Sequence, residues 1–329
     1  MRAMMVRENN QDISVMRLEE VTLPPPGERE VRVRIRAAST QFPDILMIQK
    51  KYQYQPPLPY IPGTEYAGDV VALGPGVTQW KIGDAVVAGM LGGGGFAEEV
   101  NAHEGTLRRK PGPLSYAQAC SFRSAYLTAQ VSLVRRGELR AGETLLVHGA
   151  AGGVGLAAVE VGKMLGATVI ATGSSDEKLA IVSKYGADHV INYGADFKLG
   201  FREKVKELTG GNGADVIFDP VGGDVFDESI RCINWNGRLL VIGFASGRIP
   251  TAPVNMPLIK GFSIVGVRAG EYGRKDPQKG RENIAMVDGW AEEGKINPYV
   301  CAEVPLERAH EALRMIQDRK VVGRVVVVM

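Results

Sequence analysis

Two rhythms of apolar and polar residues divide this chain. Up to about residue 120 the repeat is two, as in strands with one buried face. Val31, Val33 and Ile35 alternate with charged neighbours in EVRVRIRAAS. AGDVVALGPGV reads as a strand closed by a Gly-Pro-Gly turn, and GDAVVAG and GFAEEV as further short strands. Pro24, Pro25 and Pro26 mark an extended connector.

From Thr144 onward, short apolar runs alternate with stretches of helical spacing. TLLVHGA (144–150), TVIATG (168–173), HVINY (189–193), ADVIFDPVGG (214–223), GRLLVIGFASG (237–247) and FSIVGV (262–267) predict strands, two of them with their exit loops. Between them, GVGLAAVEVGKMLGA, SDEKLAIVSKYGA and FKLGFREKVKELTGG predict helices; Ser175 or Asp176 would cap the second, and Gly186 would end it. This βαβ alternation predicts a parallel, doubly wound sheet. After Arg268 the spacing predicts one helix, ERAHEALRMIQD, and VVGRVVVVM as a buried strand. The tail is expected to rejoin the N-terminal β region. That gives one domain from 1–125 and 265–329, with an α/β domain, 126–264, inserted in it.

Composition narrows the function classes. A chain of 329 residues exceeds one ordinary core. Its 41 glycines and 18 prolines favour turns over a helical bundle. A formal charge of +2 with no basic block gives no footprint for nucleic acid. Cys120, Cys232 and Cys301 lie far apart, which argues against a disulfide framework and a cysteine-built zinc site. His103, beside Glu104, is a lone loop histidine and is not expected to bind metal; His148, inside a strand, is expected to be packed. MRAMMVRENNQD lacks the apolar run of a secretory signal. No stretch approaches the roughly 20 apolar residues of a membrane helix. The expected location is cytoplasmic, with no membrane partner.

AAGGVG (150–155) carries the first candidate chemistry. It lies where a strand meets a helix, as a dinucleotide-binding G-x-G-x-x-G does, but Ala150 stands in the first glycine slot. Gly152, Gly153 and Val154 would present backbone N–H groups to a pyrophosphate, and Gly155 would let the helix pack on the sheet. An acidic residue at the tip of the second strand would favour NAD. Here the tip is Gly173-Ser174-Ser175, with Lys178 following and Tyr193 ending the third strand. Hydroxyls and a cation favour NADP(H), although Asp176 and Glu177 add negative charge nearby.

GAAGGVG, GSSDEK, VINY and FDPVGG, with QFPDILMIQKKY (41–52), PGTEYAGDVVALGPGV (62–77) and GGFAEEV (94–100), resemble the zinc-independent medium-chain dehydrogenase/reductases. Within them the likeness is to the NADPH:quinone oxidoreductases, the family that includes zeta-crystallin, and it spans essentially the whole chain. The resemblance implies an α/β fold: a GroES-like β domain completed by the C-terminal tail, with an inserted Rossmann domain. It also implies an active site in the cleft between them, and a homodimer pairing the strands near 262–267. Zinc-dependent relatives carry a His and a Cys in the segments where this chain has Thr64 and Gln41, so no metal is expected.

By the same likeness, Tyr52, Gln41 and Thr128 are candidate catalytic residues, with Tyr52 donating to a substrate oxygen and Thr128 facing the nicotinamide. Phe42 and Asp44 would lie beside the cofactor. Pro220 and Val221 would pass the adenosine or pyrophosphate, and Phe244, Ala245 and Ser246 the nicotinamide ribose. Arg268 and Arg324 are candidates for phosphate contact, with a solvated surface role as the alternative. The implied activity is NADPH-dependent reduction of a quinone. Two readings compete with it: reduction of the C=C bond of enones, 2-alkenals or enoyl thioesters, and a crystallin-type structural protein that binds NADPH without turnover.

Overall fold

The alternation at Val31, Val33 and Ile35 is realised as a strand whose three apolar side chains are at most 1% exposed. The computed structural model describes residues 1–89, 92–194 and 200–329. Two compact units emerge: Met1–Arg123 with Trp290–Met329, and Ser124–Gly289.

The first unit begins with the antiparallel pair β1 (Arg2–Met5) and β2 (Arg17–Glu20). Next come β3 (Glu30–Ser39), α1 (Phe42–Ile48), β4 (Glu65–Leu73), β5 (Ala85–Gly89), β6 (Glu99–His103), β7 (Leu107–Arg109) and α2 (Tyr116–Ala119). The strand expected at GFAEEV starts later, at Glu99.

The second unit opens at the second residue of α3 (Arg123–Gln130), which continues as a π-helical turn, Val131–Arg136. The repeating part follows: β8 (Thr144–Val147), α4 (Gly153–Met164), β9 (Thr168–Gly173), α5 (Asp176–Lys184), β10 (His189–Asn192), α6 (Phe201–Leu208), β11 (Ala214–Asp219), α7 (Gly223–Ser229), β12 (Ile233–Val241), α8 (Asn255–Lys260) and β13 (Ser263–Gly266). The first residues of the helix expected at FKLGFREKVKELTGG lie outside the described residues. All six strands are parallel, in the order β10-β9-β8-β11-β12-β13. Leu145, Leu146, Val147, Val169, Ile170, Val216, Ile217, Phe218, Leu239 and Leu240 are all at 0% exposure. Continuous apolar runs of this kind suit a sheet covered on both faces.

Residues 265–289 depart from the expectation. They belong to the second unit, where α9 (Ala269–Lys275) and the start of α10 (Pro277–Glu292) follow β13. Polar contacts tie them there. Arg135 Nε donates to Asn283 Oδ1 at 2.8 Å, and its Nη2 lies 2.9 Å from Glu282 Oε2.

The tail then returns to the first unit as β14 (Val300–Pro305), α11 (Ala309–Gln317) and β15 (Arg324–Val328). β15 pairs antiparallel with β3 and parallel with β14, completing the sheet β14-β15-β3-β4-β5-β7, with β6 also on β3. Val325, Val326 and Val327 are at 0% exposure, so the apolar tail is a core strand. Among the described residues, no helix is long and apolar enough to cross a membrane.

Candidate active site

The strand order places a topological switch point between β8 and β11, where doubly wound sheets open a crevice at their carboxyl ends. The loop leaving β8 answers the question posed by Ala150. Gly149, one residue earlier, supplies the left-handed backbone, at φ +56. Ala150 is then an ordinary buried residue, and its N–H donates to the Thr172 carbonyl at 3.1 Å.

The two later glycines have different reasons. A Cβ on Gly155 would lie 2.4 Å from the Gly149 carbonyl oxygen and 2.8 Å from Ala150 Cα, so close packing demands glycine there. Gly152 is exposed, and a Cβ on it would meet nothing nearer than the Gly149 oxygen at 3.4 Å. Space is therefore left open outside Gly152, at the start of α4, whose N-cap supplies no side-chain acceptor. Gly153 and Val154 form the first turn. Their N–H groups and the positive end of the helix dipole suit an anionic group.

The loop after β11 meets this one: Val221 Cγ2 would be 3.1 Å from a Cβ on Gly149. Buried Asp219 shapes it, accepting from the N–H groups of Val221 at 2.8 Å and Gly222 at 2.9 Å. Burial pushes this carboxyl up to about 6, against the pull of those donors. The loop after β12 is zipped to it, with Ala245 N–H on the Pro220 carbonyl at 3.0 Å and Ser246 N–H on the Val221 carbonyl at 2.9 Å. Pro220, Val221, Phe244, Ala245 and Ser246 thus come together, with Phe244 39% exposed.

At the tip of β9, Gly173 is buried, Ser174 is exposed and Lys178 is half-buried on the first turn of α5. The Asp176 carboxylate is engaged by Asn192 Nδ2 at 2.8 Å. Tyr193 N–H donates to the Gly173 carbonyl at 3.0 Å, and its ring packs against Phe201. Arg268 stands away from these loops' hydrogen bonds, exposed at the start of α9 and 3.8 Å from Glu271. Thr128 Oγ1 donates to the Ser124 carbonyl at 2.7 Å, which leaves it only acceptor capacity.

In the first unit, Gln41, Asp44, Glu65 and Arg324 form a buried polar cluster. Gln41 caps α1 and is 7% exposed, and its Nε2 donates to Glu65 Oε2 at 2.6 Å. Asp44, expected beside the cofactor, lies on α1. Its side chain is fully enclosed, accepting from Gln41 N–H at 2.8 Å and Gly63 N–H at 3.3 Å, so it staples α1 to the next loop. Burial pushes the Asp44 carboxyl up to about 7; Glu65 pushes the same way, while the two N–H donors and Arg324 pull it down. Arg324, a candidate for phosphate contact, feels Glu65 and Asp44, and burial draws its own pKa below the usual guanidinium range. Phe42, 42% exposed, begins α1. Tyr52 is half-buried in the loop beyond, where Gln55 Nε2 donates to its carbonyl at 2.9 Å. Glu65 and Asp219 were not singled out from the sequence; a buried carboxylate carries no local signature that separates it from a solvated one.

Residues 27–112 match the family described as alcohol dehydrogenase GroES-like domain, and residues 153–286 the family described as zinc-binding dehydrogenase. The donors present do not fit a zinc ion. Among the described residues no group of three or more His, Cys, Asp or Glu side chains is placed to hold a metal. Thr64 and Gln41 offer a hydroxyl and an amide where zinc takes imidazole, thiolate or carboxylate. The chain is 42% identical over 303 residues to a quinone oxidoreductase-like protein 2 homolog of Nematostella vectensis, covering 92% of this chain and 82% of that one. It is 36% identical to quinone oxidoreductase-like protein 2 of Mus musculus, over 98% and 91% of the two chains. Among solved structures, Escherichia coli quinone oxidoreductase complexed with NADPH superposes with a TM-score of 0.89 at 28% identity, over 100% of both chains. With these relatives, the GroES-like sheet and the Rossmann-type sheet in one chain, this protein belongs to the quinone oxidoreductase family of the medium-chain dehydrogenase/reductases.

Proposed function

We propose that the protein is an NADPH-dependent quinone oxidoreductase working without zinc. One observation carries the cofactor reading: the open position outside Gly152, at a helix start without a side-chain cap, together with a β9 tip that bears Ser174 where NAD-binding relatives of this fold place a carboxylate. The N–H groups of Gly153 and Val154 would hold the pyrophosphate, while Ser174 and Lys178 would hold a 2′-phosphate. Bound NADPH would supply the hydride.

The chain's own task is then to position the acceptor and stabilise charge on its oxygen. The Tyr52 phenol is a donor for that oxygen, and Glu65 fixes the amide of Gln41. The names of the relatives support a quinone as acceptor. A second copy of the chain is the proposed partner, seated beside the edge strand β13 on the exposed apolar surface of α8 and β12, where Trp235, Val254, Leu258 and Ile259 are 66%, 85%, 81% and 67% exposed.

The deciding experiment is NADPH oxidation with 1,4-benzoquinone, 9,10-phenanthrenequinone and a series of 2-alkenals. Faster turnover with the quinones is expected. Turnover confined to the alkenals assigns the protein to C=C reduction, and NADPH binding without any turnover assigns it a structural role.

A further inference from the structure

His148 lies between β8 and the phosphate loop at 0% exposure, and both of its ring nitrogens are used. Nδ1 is 2.8 Å from Thr172 Oγ1 on β9, and Nε2 is 2.8 Å from Ser229 Oγ on α7. The tautomer follows from a third bond. Ser229 Oγ donates its proton to the Val225 carbonyl at 2.6 Å, so it accepts from His148, and the ring proton is on Nε2. Nδ1 is the acceptor and Thr172 the donor. Burial pushes the imidazole down to about 3, so it is neutral throughout the physiological range.

Each bond reaches an element that carries cofactor candidates. Thr172 directly precedes Gly173 and Ser174, and its carbonyl also holds the Ala150 N–H of the phosphate loop at 3.1 Å. Ser229 lies on the helix entered through Pro220 and Val221. Two hydroxyls and an imidazole stand where apolar side chains would fill the same volume without the cost of burying polar groups. They fix distances between three loops, which apolar packing does less sharply.

We propose that His148 is a positioning residue, a neutral Nε2-protonated imidazole that holds the phosphate loop, the β9 tip and α7 in one arrangement and so sets the affinity for a 2′-phosphorylated dinucleotide. The proposal rests on the cofactor reading above. It assigns His148 an effect on binding and on NADPH/NADH discrimination, with no part in the chemical step.

The test uses the whole chain with Thr172→Val, which removes the bond to Nδ1, and Ser229→Ala, which removes the bond to Nε2 together with the Ser229–Val225 bond; both keep the imidazole, whereas His148→Phe would break both ring bonds at once. Dissociation constants for NADPH and NADH are measured by tryptophan fluorescence. In Thr172→Val the NADPH constant is expected to rise about tenfold, and by more than the NADH constant, with kcat at saturating NADPH near the wild-type value. Long-range nitrogen–proton spectra, assigned by loss of one ring in His148→Gln, are expected to show a pyridine-like Nδ1 and a pyrrole-like Nε2 from about pH 5 to pH 9. Equal weakening of both nucleotides, unchanged constants in both variants, or a ring protonated on Nδ1 overturns the inference. Wild-type protein that does not bind NADPH overturns the cofactor reading itself, an outcome distinguished by the wild-type titration alone.

Discussion

Gln41 donates its side-chain amide to Glu65 across 2.6 Å, inside the β unit and beside the charge of Arg324. The carboxylate thus has two tasks: it orients Gln41 and it balances a buried guanidinium. Glu65→Gln removes a charge-assisted bond and is expected to cost about 1.5–3 kcal/mol. The fall would be read as a lower urea midpoint. Because Glu65 also raises Asp44, the same variant should lower the Asp44 pKa.

Stability should decline as pH rises through the range set by Asp44. Its unfolded carboxyl titrates near 3.8 and its folded one at about 7. Between these values the folded state holds a proton that the unfolded state releases. The contribution is therefore lost upward, by about 1.4 kcal/mol per pH unit. Asp219, raised to about 6, acts in the same direction over a narrower range. Urea titrations at about pH 5 and pH 7.5 should show Asp44→Asn gaining on the wild type at the higher pH. A constant difference would show that Asp44 is ionised throughout.

The two glycines of the phosphate loop should separate cleanly. Gly152→Ala adds a Cβ into open space, on extended backbone at φ −75, so folding is preserved and NADPH affinity falls. Gly155→Ala drives a Cβ into backbone at 2.4 Å and should lose about 1–3 kcal/mol of stability. Thermal melts and NADPH titrations of the pair check this. Equal affinities for wild type and Gly152→Ala would remove the pyrophosphate from that position.

The exposed apolar surface of α8 should report the second copy. Leu258→Lys places a charge where the side chain is 81% exposed, so the isolated fold tolerates it. Sedimentation equilibrium is expected to show a dimer for the wild type and a monomer for this variant. A wild-type monomer would leave the patch without that partner.

Much of this was legible in the sequence, for identifiable reasons. The strands β8, β9 and β11 are short apolar runs bounded by turns, and their burial within the sheet matches that reading. The glycines of the phosphate loop were visible, but the pattern could not show that Gly149 takes the left-handed turn or that Gly155 and Gly152 serve different ends. Residues 265–289 give no sequence signal for the second unit, because α9 and α10 are polar on most of their surface and their attachment runs through Asn283 and Glu282 to Arg135, a distant arginine. Strand β14 has no continuous apolar run to mark it, because most of its residues are at best partly buried. The Asp44–Glu65–Arg324 cluster joins three separated segments, and only the fold brings them together. The capping role of Asp44 on α1, which uses both of its oxygens, is likewise visible only in the fold.

The nucleotide preference and the quinone acceptor are tested together by kcat/KM for NADPH and NADH, each with 9,10-phenanthrenequinone, in the wild type and in Lys178→Ala. NADPH should be preferred by about tenfold or more, and the variant should lose that preference through a higher KM for NADPH with little change for NADH. Equal use of the two nucleotides by the wild type, or no quinone-dependent oxidation of NADPH, would rule out an NADPH-specific quinone reductase.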